Sequence, residues 1–242
     1  MLLEIAVGDV EGARVARESR ADRIELSQAL PLGGLTPSPG QAELATALGV
    51  PVRALIRPRG GGFAYSAAEV AAMVRDIEAL TDAGAAGFVL GALDAESAGL
   101  DRQTLRLLIR AAEGRAVLVH RCVDVLLAAG YDPAGLAGEL ADLGAAGVLT
   151  SGGAPRALEG VPVLSALAEG SEGRLEIVAG GGVRPEHVHV LADAGAHAVH
   201  LSAATSARSG PAGPGGGTDE YMTTGPARVA AARAAVDELA VR

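Results

Sequence analysis

The sequence predicts an α/β fold, a single (β/α)8 TIM barrel occupying residues 1–242, and three observations carry that prediction. Short apolar runs recur, and each ends in charged, hydroxyl or glycine residues: ADRIELSQ, VRALIRPRGGG, AVLVHRCVD, AGVLTSGG, LEIVAGGGV and HAVHLSAA. Parallel strands whose C-terminal ends converge on one polar site read this way. A weak internal echo, TDAGAAGFVLGAL from Thr81, ADLGAAGVLTSGG from Ala141 and ADAGAHAVHLSAA from Ala192, repeats the order helix end, glycine, strand. Gly84, Gly144 and Gly195 suit the left-handed position that closes a helix. Finally, 242 residues with 49% hydrophobic content can bury one sizeable core, and with 2% aromatics and no Trp it must be filled by Val, Leu, Ile and Ala, as barrel interiors are. An open doubly wound sheet is the alternative that the same alternation allows.

Taken in order, the β-prone runs place strands at 2–7, 23–27, 52–57, 87–93, 116–121, 147–151, 175–179 and 198–202. Amphipathic spacing places helices between and after them at 10–19, 39–48, 67–82, 102–112, 133–143, 157–168, 185–194 and 227–241. Eight alternating units imply a parallel sheet and favour its closure. Residues 204–218, ATSARSGPAGPGGGT, are too rich in Gly, Pro and Ser to support a packed element. They are expected to form a flexible loop between the eighth strand and the last helix, over the mouth, as a lid or an idle insertion.

In a barrel the outward side chains meet helices and are apolar, whereas inward ones line the lumen. Ile24 and Leu26 therefore look outward, leaving Arg23, Glu25 and Ser27 inside, and the same parity turns Glu4, Arg53, Arg57, His120, His200 and Ser202 inward. Charges in a narrow lumen need partners, so Glu25 or Glu4 is expected within hydrogen-bonding reach of Arg57 or Arg53. A purely structural ion-pair layer is the alternative reading, above all for Arg23 and Arg53. Glu25, Arg57, His120 and Asp124 are the catalytic candidates, with His120 and Asp124 read as a possible acid/base pair.

Gly180, Gly181 and Gly182 lead from the seventh strand into a helix that Pro185 opens, a geometry that exposes backbone amides. With Ser202 after the eighth strand, and Ser151 and Gly152 after the sixth, they form a candidate anion or phosphate site. Tight turns alone also explain these glycines. Arg59 and Arg121 join the anion set, since guanidiniums grip phosphate or carboxylate. All 20 basic residues are arginine, which excludes Schiff-base catalysis by a lysine. A net charge of −9 argues against nucleic acid and anionic membranes as partners and leaves a small anionic molecule. The single cysteine, Cys122, excludes an intramolecular disulfide, and no apolar run is long enough to span a bilayer, so a cytoplasmic location is expected. No cofactor or resident metal is predicted.

The runs ADRIELSQALPLGGLTPS, IRPRGGGFAYS, HRCVD, VLTSGG and AGGGVRPE, with Asp219, Glu220 and Tyr221 echoing the tail, resemble the signature blocks of the CutC family over nearly the whole chain. That resemblance implies a cytoplasmic (β/α)8 barrel, often a homo-oligomer, with a polar mouth that maps onto Glu25, Arg57, Arg59, His120, Arg121 and Asp124. The family name implies a part in copper homeostasis. Family members often carry a cysteine, in a block resembling VELC, where this chain has Ser27. Cu(I) prefers soft sulfur, so Cys122, with His120 and with Met73 or Met222, would have to supply the ligands. Two functions follow as expectations: an enzyme acting on a small anionic or phosphorylated substrate, and a Cu(I)-binding or trafficking protein.

Overall fold

The strands are short runs of Val, Ile, Leu and Ala whose outward side chains are shut off from solvent by helices. In the computed structural model, which describes residues 1–211, 213–214 and 218–239, β1 (Leu2–Val7), β2 (Arg23–Leu26), β3 (Val52–Leu55), β4 (Gly87–Leu90), β5 (Ala116–Val119), β6 (Gly147–Thr150), β7 (Glu176–Gly180) and β8 (Ala198–Leu201) pair in parallel in that order. The pairing of β1 with both β2 and β8 closes the barrel, so the open sheet is excluded.

Around it run α1 (Val10–Glu18), α2 (Pro39–Thr46), α3 (Ala67–Asp82), α4 (Arg102–Ala111), α5 (Val123–Ala128), α6 (Pro133–Leu143), α7 (Val161–Gly170), α8 (Val188–Asp193) and α9 (Pro226–Leu239). Their starts are written locally. Asp9, Ser38, Asp101 and Asp132 each accept a first-turn amide, and Ser66 with Glu69 forms a complete capping box on α3. Leu3, Ile5, Ile24, Leu26, Phe88 and Leu105 belong to the main core between strands and helices, while Leu55, Val89, Leu118, Leu149, Val178 and Ala198 fill the lumen as a separate apolar cluster.

Several elements differ from the sequence reading, among them a 3-10 turn at Leu30–Leu32 and strands β3, β4 and β5, which end two or three residues early. The helix expected at 157–168 begins instead at Val161, because Gly152 and Gly153 turn left-handed and the amide of Ala157 bonds back to the carbonyl of Gly181. The expected helix at 185–194 opens as a single 3-10 turn at Pro185–His187. Helix α5, six residues long, was not anticipated, being too short to show a period. The segment read as unable to support a packed element contains β9 (Ala204–Arg208), which pairs antiparallel with β10 (Glu220–Thr224). Its main-chain groups are satisfied by a partner strand across the glycine-rich stretch, a pairing that composition does not reveal. Residues 212 and 215–217 of that expected loop, and 240–242 of the expected last helix, lie outside the described residues.

Candidate functional site

Two polar layers occupy the lumen. Toward the N-terminal ends of the strands, Arg53 Nη1 donates to Glu4 Oε2 at 3.1 Å and Arg23 Nε donates to the same oxygen. Glu176 faces Arg23 Nη2 through one oxygen and accepts from Arg53 Nη2 through the other, each at 2.7 Å. His200 Nδ1 lies 2.8 Å from Glu4 Oε1. Burial by itself would raise the Glu4 carboxyl, but the hydrogen bond and charge of His200, with Arg23 and Arg53, hold it down at about 2. His200 is raised: burial opposes its charged form, and attraction to Glu25 and Glu4 outweighs it. The expected pairing is therefore met by Glu4 and Arg53.

Nearer the mouth the pattern inverts. Glu25, Ser27, Arg57 and His120 are all buried, and Glu25 Oε2, Ser27 Oγ, Arg57 Nε and His120 Nε2 have no hydrogen-bond partner among the described residues. A Glu25–Arg57 pair, allowed by the sequence reading, is not formed. Arg57 spends Nη1 on the carbonyls of Leu32 and Gly34 and Nη2 on that of Gly61, and its guanidinium lies 5.3 Å from the Phe63 ring centroid. Burial, opposed by His200 and reinforced by Glu4, pushes Glu25 up to about 7. Burial and the charge of Arg57 bring His120 down to about 4, so its imidazole is neutral at neutral pH. His120 Nδ1 accepts from the amide of Cys122, and the side chains of Cys122 and His120 occupy the space that a Cβ on Gly91 would need. Gly91 is thus the residue that lets the imidazole enter the lumen.

His120 and Asp124 are not brought together. Asp124 instead accepts from Arg121 Nε, Thr150 Oγ1, Ser151 Oγ and the amides of Ser151 and Gly153, so both carboxylate oxygens are committed to holding the turn after β6. Arg121 Nη2 donates to Ser151 Oγ at 2.8 Å, and Gly152 lies in the same turn. Arg59 is not among the residues that line the mouth. It pairs with Glu69, donates to the carbonyls of Gly60, Gly62 and Ala64, and stacks on Tyr65.

A cavity of about 1060 Å³ opens at the C-terminal ends of the strands, and Glu25, Arg57, His120, Arg121 and His200 line it. Across from Arg57 its wall is Gly181, Gly182, Ser202 and Ala203, with Arg184 and Arg228 above. Gly180 lies just behind, where the side chains of Leu149 and His200 meet it. Gly181 and Gly182 have φ of +107° and +62°, conformations that turn successive amides without Cβ strain. Among the described residues, no main-chain hydrogen bond is donated by the amides of Gly181, Gly182, Ser202 or Ala203. His200, Arg184 and Arg228 were not among the sequence candidates for the site. Parity had turned His200 inward and Arg184 stands in the quoted GGGVRP run, but nothing local marks Arg228 on the last helix.

A copper(I) site does not fit these residues. Cys122 is fully buried, burial raises its thiol well above the ordinary value, and Ser27 supplies a hydroxyl in place of a second sulfur.

The model of the CutC family matches residues 1–205. A CutC family protein of Agrobacterium fabrum is 44% identical, the alignment covering 80% of this chain and 75% of that protein. Another, of Sinorhizobium medicae, is 40% identical over 100% of this chain and 98% of its own. The solved CutC protein of Streptococcus agalactiae, described as a copper homeostasis protein, superposes with a TM-score of 0.76 at 28% identity, covering 84% of this chain and 98% of that one. With a family match running from the first strand to the start of β9, and relatives that align over most of both chains, the protein belongs to the CutC family.

Proposed function

We propose that the barrel mouth binds a small anionic molecule, phosphate-bearing in the simplest case, and acts on it as an enzyme. The observation that carries this reading is the group of buried polar atoms on Glu25, Ser27, Arg57 and His120 that have no hydrogen-bond partner among the described residues. An unpartnered buried donor or acceptor costs about 1–3 kcal/mol, and three of them, on Glu25, Arg57 and His120, at the wall of one cavity make sense if a ligand completes them. The free amides of Gly181, Gly182, Ser202 and Ala203, with Arg184 and Arg228 nearby, suit the anionic end. Arg57, neutral His120 and Glu25 face the other end, where Glu25 and His120 donate or accept hydrogen bonds at the reacting atoms. Arg121 and Asp124 shape the wall, and Arg59 takes no part. Among the described residues no helix is long and apolar enough to cross a membrane, and the net charge of −9 and lone buried thiol accord with our placing the protein in the cytoplasm.

A thermal-shift screen of phosphorylated and carboxylate metabolites, run in parallel on Arg57→Ala, tests the reading. Stabilisation by one class of phosphorylated compound that Arg57→Ala abolishes is the expected result. Equal shifts in both proteins, or none, would remove it.

A further inference from the structure

We infer that Glu25 and His200 form a site for one divalent cation of the borderline class, such as Zn²⁺ or Co²⁺, with Glu4 orienting the imidazole. The inference rests on the functional reading above, because the ion would sit on the floor of the same cavity. One donor atom from each of Glu4, Glu25 and His200 lies within 4.8 Å of the others, a separation that a single ion can bridge. Glu4 and Glu25 are buried, and the Glu25 carboxylate, which supplies one atom of this group, has its Oε2 without a hydrogen-bond partner among the described residues.

The surrounding charges explain why that oxygen is unmatched. Arg23 and Arg53 are committed to Glu4 Oε2 and to Glu176, and Arg57 is committed to carbonyls. Among the described residues neither Arg23 nor Arg53 is hydrogen-bonded to Glu25, so its carboxylate is left without a guanidinium partner. Glu4 adds a second mark of a metal site. Its Oε1 faces His200 Nδ1, the arrangement in which a carboxylate fixes an imidazole so that Nε2 is presented to a metal. A donor set of one imidazole nitrogen and one carboxylate oxygen favours borderline divalent ions over Cu(I), which seeks sulfur, and over Ca²⁺, which seeks an all-oxygen cage. Two protein ligands leave coordination positions open to water and to an anionic substrate.

The test is calorimetric titration of the metal-free full chain with ZnCl2, with Co²⁺ absorption as a report on ligand geometry. One ion per chain is expected, weakened by about tenfold or more in Glu25→Gln and in His200→Gln and unchanged in Cys122→Ser. Circular dichroism checks each fold, and should His200→Gln fail to fold, Glu25→Gln decides alone. Absence of stoichiometric Zn²⁺ binding, undiminished binding in Glu25→Gln, or binding lost only in Cys122→Ser would overturn the inference. Titration of the metal-free protein with inorganic phosphate separates the two readings. Phosphate binding without Zn²⁺ binding sinks this inference alone, and Zn²⁺ binding without phosphate binding sinks the anion reading.

Discussion

The two polar layers of the lumen are built from the same residue types and do opposite things. In the lower layer Glu4, Arg23, Arg53 and Glu176 each have an oppositely charged neighbour, and the apolar cluster of Leu55, Val89, Leu118, Leu149, Val178 and Ala198 shares the interior with them. In the upper layer Glu25, Ser27, Arg57 and His120 are just as buried yet leave polar atoms without partners. Burial alone therefore does not distinguish a structural charge from a functional one. Pairing of charge does: in the lower layer every charge has an opposite charge against it, even where Arg23 Nη2 lies beside Glu176 without a hydrogen bond. Among the described residues, by contrast, Glu25 has no hydrogen-bond partner at Oε2 and the Arg57 guanidinium donates only to carbonyls, so a ligand can stabilise them.

The comparison can be broken most forcefully from below. Glu4→Gln leaves Arg23 and Arg53 short of a counter-charge in a buried site, and urea denaturation should show a loss of about 3–5 kcal/mol. A loss below about 1 kcal/mol would mean that the lower layer is not what holds these charges.

The next effect comes from His120. Its folded value is depressed to about 4 from an ordinary 6.5, so the unfolded chain takes up the proton first. Stability present above pH 6.5 is then lost as pH falls toward 4, by about 3 kcal/mol from this group. The stability difference between wild type and His120→Asn, followed across that window, isolates this contribution from the carboxylates. A difference that does not change with pH would contradict the buried, neutral imidazole.

A smaller effect of opposite sign is expected at Glu25. In the presence of a chelator, Glu25→Gln replaces an unpartnered buried acid by a neutral amide and should leave stability unchanged or raise it by about 1–2 kcal/mol. A loss as large as that of Glu4→Gln would erase the distinction between the layers. The smallest effect belongs to Arg59→Ala. Its partly exposed pair with Glu69 predicts a loss of about 1 kcal/mol or less and unchanged phosphate binding by calorimetry.

Much of this arrangement was legible in residue parity. Outward Ile24 and Leu26 fixed Arg23, Glu25 and Ser27 as inward, and the same rule found Glu4, Arg53, Arg57, His120 and His200. Parity does not reveal which carboxylate meets which guanidinium, because that depends on strand tilt and on register around the ring. Glu176, two residues before the lumen-lining Val178 on β7, completes the lower layer by pairing with Arg23 and Arg53, a partnership that parity turns inward but does not assign. Arg59 was misjudged for a similar reason. Its partner Glu69 is the capping-box residue of α3, and that local commitment outcompetes the mouth. Asp124 looked like a partner for His120 by proximity in sequence, but the turn after β6 offers it two amides and two hydroxyls that no short-range pattern predicts.

The most direct test of the claim that the incomplete upper layer is a ligand site is a crystal structure of the protein soaked in inorganic phosphate. The account predicts an anion within hydrogen-bond reach of the Gly181, Gly182, Ser202 and Ala203 amides. A mouth without phosphate density, in crystals that bind the ion elsewhere, would contradict it.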